Sequence, residues 1–283
     1  MKLARTSLSD GSAEIVVSLG GDYLPVRALP GYAEAGRLAG LLGEQELRAL
    51  AETVERHGAQ VAPVDFDPAR AAPLPDHEAD IWGAGLNYLR HSEDLAAQQP
   101  ASGPGSYLRP GNCLIGNNAH IELPEQSGRV TAEAELGLVI GTACKNVKRQ
   151  DWRSVIAGVT GVLDMTAEDA IRENPRYIPW AKGFDTFCSV GPVLITMDEF
   201  PDGLDGLDGI QISTVLNGET VASATPTSMK YDVGYLVEYF TAGRTLAPGT
   251  ILCTGTPGAT VISAGDSVRS VVEGVGTLTH PVR

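Results

Sequence analysis

Two glutamates sit two residues apart inside an otherwise apolar run, and that placement constrains the 283-residue chain more than any other feature. The run is TAEAELGLVIGT, with Glu133 and Glu135. Its apolar and β-branched residues from Ala134 to Thr142 predict a strand. Residues i and i+2 of a strand share a face, so both carboxylates should project together. Like charges side by side in a half-buried strand are unfavourable unless a cation offsets them. A second apolar run, VIAGVTGVLD, ends in Asp164 and offers a third oxygen ligand. Three carboxylates without a neighbouring cysteine or histidine suit a hard cation, Mg²⁺ or Mn²⁺. The spacing leaves an alternative open, because alternating polar residues also mark the solvent face of an edge strand.

Charge narrows the partners. A net charge of −14 argues against nucleic acid and against anionic membrane surfaces. An anionic substrate would then need a metal or a few placed basic residues. No stretch approaches the roughly 20 apolar residues of a membrane span. The N-terminal segment carries no signal-peptide pattern, so a cytoplasmic location is expected. Cys113, Cys144, Cys188 and Cys253 are scattered without CxxC pairs and read as buried free thiols.

The chain changes character near residue 76. Residues 1–75 read as a small α/β N-terminal domain. AEIVVSL and YLPVRAL look like strands, and AEAGRLAGLLGEQELRALAETVERHG has helical spacing. VAPVDFDPARAAPLPD is proline-rich and reads as a linker. Residues 76–283 read as a β-rich α+β domain, too irregular for a βαβ repeat. Its β-like runs include ADIWGAGLNY, NCLIG, ELGLVIG, GPVLIT, IQISTVLNGETVA and GTILCTGTP. Helical stretches are few: DWRSVIAG, MTAEDAIREN and MKYDVGYLVEYFTAG.

Seven ordered motifs between about residue 80 and 280 resemble the fumarylacetoacetate hydrolase family: GLNYLRHSEDL, YLRPGNCLIG, AEAELGLVIG, AGVTGVLDMTAEDA, AKGFDTFCSVGP, VLNGET and LAPGTILCTGTP. The resemblance implies a rolled, mixed β-sheet catalytic domain, here the long form with a small N-terminal domain. It implies a divalent metal, a homodimer and chemistry on small anionic 2-oxo acids. The activity implied is hydrolysis of a C–C bond in an acylpyruvate-like 1,3-dicarbonyl compound. Decarboxylation of an oxaloacetate-type acid and isomerisation of an unsaturated 2-oxo acid are alternatives on the same scaffold. A non-catalytic binding protein is a lesser one.

By the same resemblance Glu133, Glu135 and Asp164 are the metal ligands. His91 is the general base, oriented by Asp94, with Glu93 beside it. Lys182 holds an oxyanion or the keto oxygen near the metal. Thr256 binds the substrate carboxylate, with Gly255 in the same turn, and Tyr88 and Arg109 complete the substrate contacts. Two positions depart from the family pattern. Glu168 and Ile171 stand where short members often carry Arg and Gln, and Arg109 stands where Lys is common. An anion at a substrate contact should disfavour a second substrate carboxylate unless Glu168 points away. Arg172 or Arg176 is available to serve instead.

Overall fold

A computed structural model describes residues 1–8, 11–88, 99, 101–200 and 205–283. Among the described residues, fifteen strands form two sheets. The first half supplies β1 (Lys2–Ser7), β2 (Ala13–Ser18), β3 (Leu24–Pro25), β4 (Ile81–Gly85), β5 (Gly105–Arg109), β6 (Leu114–Ile115) and β7 (Val130–Ile140). The second half supplies β8 (Ile156–Ala167), β9 (Cys188–Thr196), β10 (Ile212–Leu216), β11 (Glu219–Ala224), β12 (Ile251–Cys253), β13 (Ala259–Ile262), β14 (Ser267–Val272) and β15 (Gly276–Pro281).

The large sheet runs β3-β2-β1-β9-β8-β7-β12-β4-β5, with β13 joined to β7 and β6 to β9. It is mixed: β12 pairs β4 in parallel, and β7, β8 and β9 are antiparallel. The smaller sheet, β11-β10-β14-β15, packs against β7, β8 and β9. This is the β-rich α+β architecture expected. The N-terminal strands extend the large sheet, since β1 lies antiparallel beside β9. Leu3, Val17, Val26 and Leu50 share one core with Val162 and Leu194.

Local differences from the sequence expectation have simple causes. YLPVRAL yields only two strand residues, because Pro25 leads into a 3-10 turn at Val26–Ala28. DWRSVIAG divides into a 3-10 segment, Arg149–Val155, and the start of β8. The proline-rich stretch is packed down, with Ala71 and Leu74 buried. The amphipathic helix expected early in the chain is Glu44–His57, and Leu50 is its buried residue. Among the described residues, no helix is long and apolar enough to cross a membrane.

The site is positioned by an interruption in the sheet beside β7. Gly137–Val139 of β7 pair with β12, and Val130–Glu133 pair with β13. Between β12 and β13 the chain leaves the ladder as the turn-rich segment TGTPG, residues 254–258. The gap falls at Ala134–Leu136. There the Thr214 hydroxyl takes the Ala134 N–H, and Leu136 C=O accepts from the backbone and side chain of Thr254. The backbone stays satisfied while room opens above Glu135.

Candidate metal and active site

β7 lies between β8 on one side and β12 and β13 on the other, so its glutamates do not face solvent. Glu133 and Glu135 are nearly inaccessible and Asp164 is 0% exposed. Glu133 and Asp164 are direct register partners across the β7–β8 pair. One oxygen from each of the three carboxylates lies within 4.8 Å of the other two. This compact all-oxygen donor set fits a divalent cation. Glu133, Glu135 and Asp164 are the residues that would hold it.

Each carboxylate has a different surrounding. Burial first, and then the neighbouring Asp164, push the Glu135 carboxyl well above the ordinary glutamate range; Lys182 opposes them. Its Oε2 accepts the Gly255 N–H at 2.8 Å. Gly255 has φ +93°, and a Cβ there would sit 2.9 Å from the Ala84 carbonyl, so the position requires glycine. Glu133 Oε1 accepts from the hydroxyls of Thr131 at 3.1 Å and Thr166 at 3.3 Å.

Asp164 is caged by cations and a phenol. Lys182 Nζ donates to its Oδ1 at 2.6 Å and to the Thr166 hydroxyl at 2.7 Å. Arg109 donates to Oδ1 and the Tyr107 hydroxyl to Oδ2. Burial acts to raise the Asp164 carboxyl, but Arg109, Lys182 and Tyr107 outweigh it and hold it below the usual aspartate range. Lys182 shows the converse balance. Burial favours the neutral amine, yet Asp164 and Glu133 hold its pKa above the ordinary lysine value, so it stays an ammonium.

A cavity of about 580 Å³ opens onto this cluster. Glu133, Glu135, Lys182, Thr256 and Tyr107 line its charged end. The Thr256 hydroxyl engages Gly258 within the turn while still lining the cavity. Three expected substrate contacts, Arg109, Gly255 and Tyr88, are not among the residues lining the cavity. The Arg109 guanidinium is buried against Asp164 and the carbonyls of Lys182 and Met165, outside the cavity lining. Three fixed acceptors there match its planar fork. Gly255 serves Glu135 through its N–H. Tyr88 is 1% exposed, and its hydroxyl has no hydrogen-bond partner among the described residues. Burial, and then Glu135, push its phenol well above the ordinary tyrosine value. His91, Glu93 and Asp94 lie outside the described residues.

Sequence reasoning missed Tyr107, Thr131 and Thr166. The signal was the same period of two. Tyr107 shares a face with Arg109, Thr166 with Asp164, and Thr131 with Glu133.

Residues 80–283 match the family model for the fumarylacetoacetate (FAA) hydrolase C-terminal domain. The chain belongs to this family. Members resembling it carry out more than one reaction. A 2,4-didehydro-3-deoxy-L-rhamnonate hydrolase from a Sphingomonas species is 30% identical over 256 residues, 87% of each chain. A 5-carboxymethyl-2-hydroxymuconate delta-isomerase from Mycobacterium smegmatis superposes with a TM-score of 0.73 at 30% identity, covering 100% of this chain and 98% of that one. A maleylpyruvate hydrolase from Sphingobium sp. SYK-6, in complex with manganese(II) and pyruvate, gives 0.80 at 25% identity, covering 100% and 98%. The acidic triad lies in the matched domain, and its donor chemistry suits a divalent metal.

Proposed function

We propose that this family member is a Mg²⁺- or Mn²⁺-dependent hydrolase of a C–C bond between two carbonyl groups, acting on an acylpyruvate-like 2-oxo acid. The observation that carries the reading is the buried triad Glu133, Glu135 and Asp164 at the floor of a cavity that also presents Lys182 and Thr256. The triad by itself is common to hydrolase and isomerase readings. Hydrolases among the relatives described above support the hydrolytic reading.

When bound, the cation supplies a Lewis acid for the substrate's carboxylate and keto oxygens. The remaining roles belong to the chain. Lys182, kept charged by Asp164 and Glu133, uses two N–H groups on Asp164 and Thr166 and offers its third to the oxygen where negative charge develops. Thr256 and its turn receive the substrate carboxylate. His91, oriented by Asp94, takes a proton from water, whose oxygen adds to the distal carbonyl carbon. The C–C bond then breaks, its electron pair passes to the pyruvate half, and a proton completes that carbon. Residues 76–283 carry this chemistry, and residues 1–75 form an N-terminal unit that extends the sheet. A homodimer is part of the proposal.

Proton NMR of acetylpyruvate and of oxaloacetate, each with Mn²⁺ and with EDTA, tests the reading. Metal-dependent acetate and pyruvate from acetylpyruvate are expected. Metal-dependent change of oxaloacetate alone would replace hydrolysis with decarboxylation or tautomerisation.

A further inference from the structure

The two oxygens of Asp164 are partnered differently. Oδ1 accepts from the Lys182 ammonium at 2.6 Å and from the Arg109 guanidinium. Oδ2 accepts from the Tyr107 hydroxyl and, among the described residues, from no other group. Each carboxylate oxygen has about two lone-pair sites. Two cationic donors fill those of Oδ1. One neutral donor leaves Oδ2 with a site open.

Tyr107 touches every member of this arrangement. Its ring faces both cations, with Lys182 Nζ 4.5 Å and the Arg109 guanidinium carbon 5.5 Å from the centroid. An aromatic face attracts ammonium and guanidinium groups, so the ring helps to hold both where they bind Oδ1. The hydroxyl meanwhile reaches Oδ2. A phenol is protonated at neutral pH, so toward a carboxylate it acts as a donor. A cationic donor on Oδ2 would repel an incoming metal ion, and a neutral one does not. The ring has little freedom to turn away. Tyr107 is the register partner of Gly83, and a Cβ at that glycine would fall 1.9 Å from the ring. Tyr107 is only 3% exposed although it lines the cavity.

We infer that Tyr107 is a positioning residue that reserves Oδ2 of Asp164 for the divalent cation. Its ring keeps Lys182 and Arg109 on Oδ1, and its hydroxyl fixes Oδ2 without adding positive charge there. This rests on the metal-site reading above.

The test compares Mn²⁺ binding by calorimetry in wild type, Tyr107→Phe and Tyr107→Leu, with thermal melts in EDTA to show that each is folded. Tyr107→Phe keeps the ring and loses the hydroxyl, and should bind Mn²⁺ about tenfold more weakly. Tyr107→Leu also releases Lys182 and Arg109 toward Oδ2, and should bind about 100-fold more weakly. Tyr107→Phe decides alone if Tyr107→Leu does not fold. A spectroscopic signature separates positioning from a merely structural role. A cation on Oδ2 makes that oxygen a poorer acceptor for the phenol. Mn²⁺ should therefore change the tyrosine ultraviolet absorption of wild type, and the change should shrink in Tyr107→Phe. Undiminished Mn²⁺ affinity in Tyr107→Phe, or an undiminished absorption change, would overturn the inference while leaving the metal site standing. Equal losses of affinity in the two variants would remove the ring from the role. Failure of wild type to bind Mn²⁺ would overturn the metal-site reading and this inference with it.

Discussion

Glu133 and Asp164 face each other as register partners across β7 and β8, with Glu135 one step further along the same face. Directly opposed like charges destabilise a strand pair. The fold tolerates them because Lys182 lies 2.6 Å from Asp164 and 3.6 Å from Glu133, and Arg109 donates to the same Asp164 oxygen as Lys182. The two cations leave the three carboxylates one negative charge in excess, which a divalent ion reverses.

Glu135 is the least compensated of the three, since its pKa is raised by burial and then by Asp164. Its charged form opposes folding at neutral pH. Glu135→Gln should therefore raise the melting temperature of the metal-free protein while weakening Mn²⁺ binding by about 100-fold or more. Calorimetry with Mn²⁺ and thermal melts in EDTA check both parts. Undiminished Mn²⁺ affinity would remove Glu135 from the ligand set.

Arg109→Lys separates ordering of Asp164 from contact with substrate. Arg109 reaches Asp164 and the carbonyls of Lys182 and Met165 together, which a lysine cannot do. Loss of charge-assisted bonds in a buried site costs about 2–3 kcal/mol. The variant should melt lower and bind Mn²⁺ more weakly, with the KM for substrate within about threefold of wild type. A large rise in KM at unchanged Mn²⁺ affinity would return Arg109 to the substrate.

The triad and the β-rich domain were legible because both rest on short periods. Apolar residues around Glu133 and Glu135 mark a strand, and the period of two puts the carboxylates together. What lay hidden was depth and partnership. Nothing local distinguishes Arg109 aimed at substrate from Arg109 aimed at Asp164, because the choice depends on β5 lying beyond β12 and β4, three places from β7 in the sheet order. The same holds for Gly255, whose N–H turns to Glu135 only because the sheet parts at residues 254–258. Joining of the first strands to the sheet was equally invisible, since the pairing of β1 with β9 spans nearly 200 residues.

Gly83 is an expected weak point. A Cβ at this position in β4 would fall 1.9 Å from the Tyr107 ring, which is buried and cannot yield. Gly83→Ala should push Tyr107 off Asp164 and lower stability by about 1–3 kcal/mol, as overpacking does. Tyr107→Phe removes only the hydroxyl on Asp164 and should keep the fold with a smaller loss. Urea unfolding of the two variants decides the order; a harmless Gly83→Ala would mean that this packing is not tight.

His280 should make the protein acid-sensitive in a window above that of the carboxylates held low. It is fully buried in β15, and its Nδ1 lies 2.8 Å from the Ala119 carbonyl oxygen. Its Nε2 has no partner among the described residues. Burial lowers its pKa from 6.5 to about 4, partly offset by the Ala119 contact. Below pH 6.5 the unfolded chain takes up a proton that the folded protein refuses. Stability is therefore full above about pH 6.5 and is lost progressively toward pH 4, by about 3 kcal/mol in all. The carboxylates held low, Asp164, Glu168 and Asp169, act at more acid pH. Urea unfolding at pH 7, 5.5 and 4.5 should show a steep loss in wild type and a shallower one in His280→Gln, whatever the variant's stability at pH 7. Equal slopes would mean that the imidazole is protonated in the folded state and has found a partner for its second N–H.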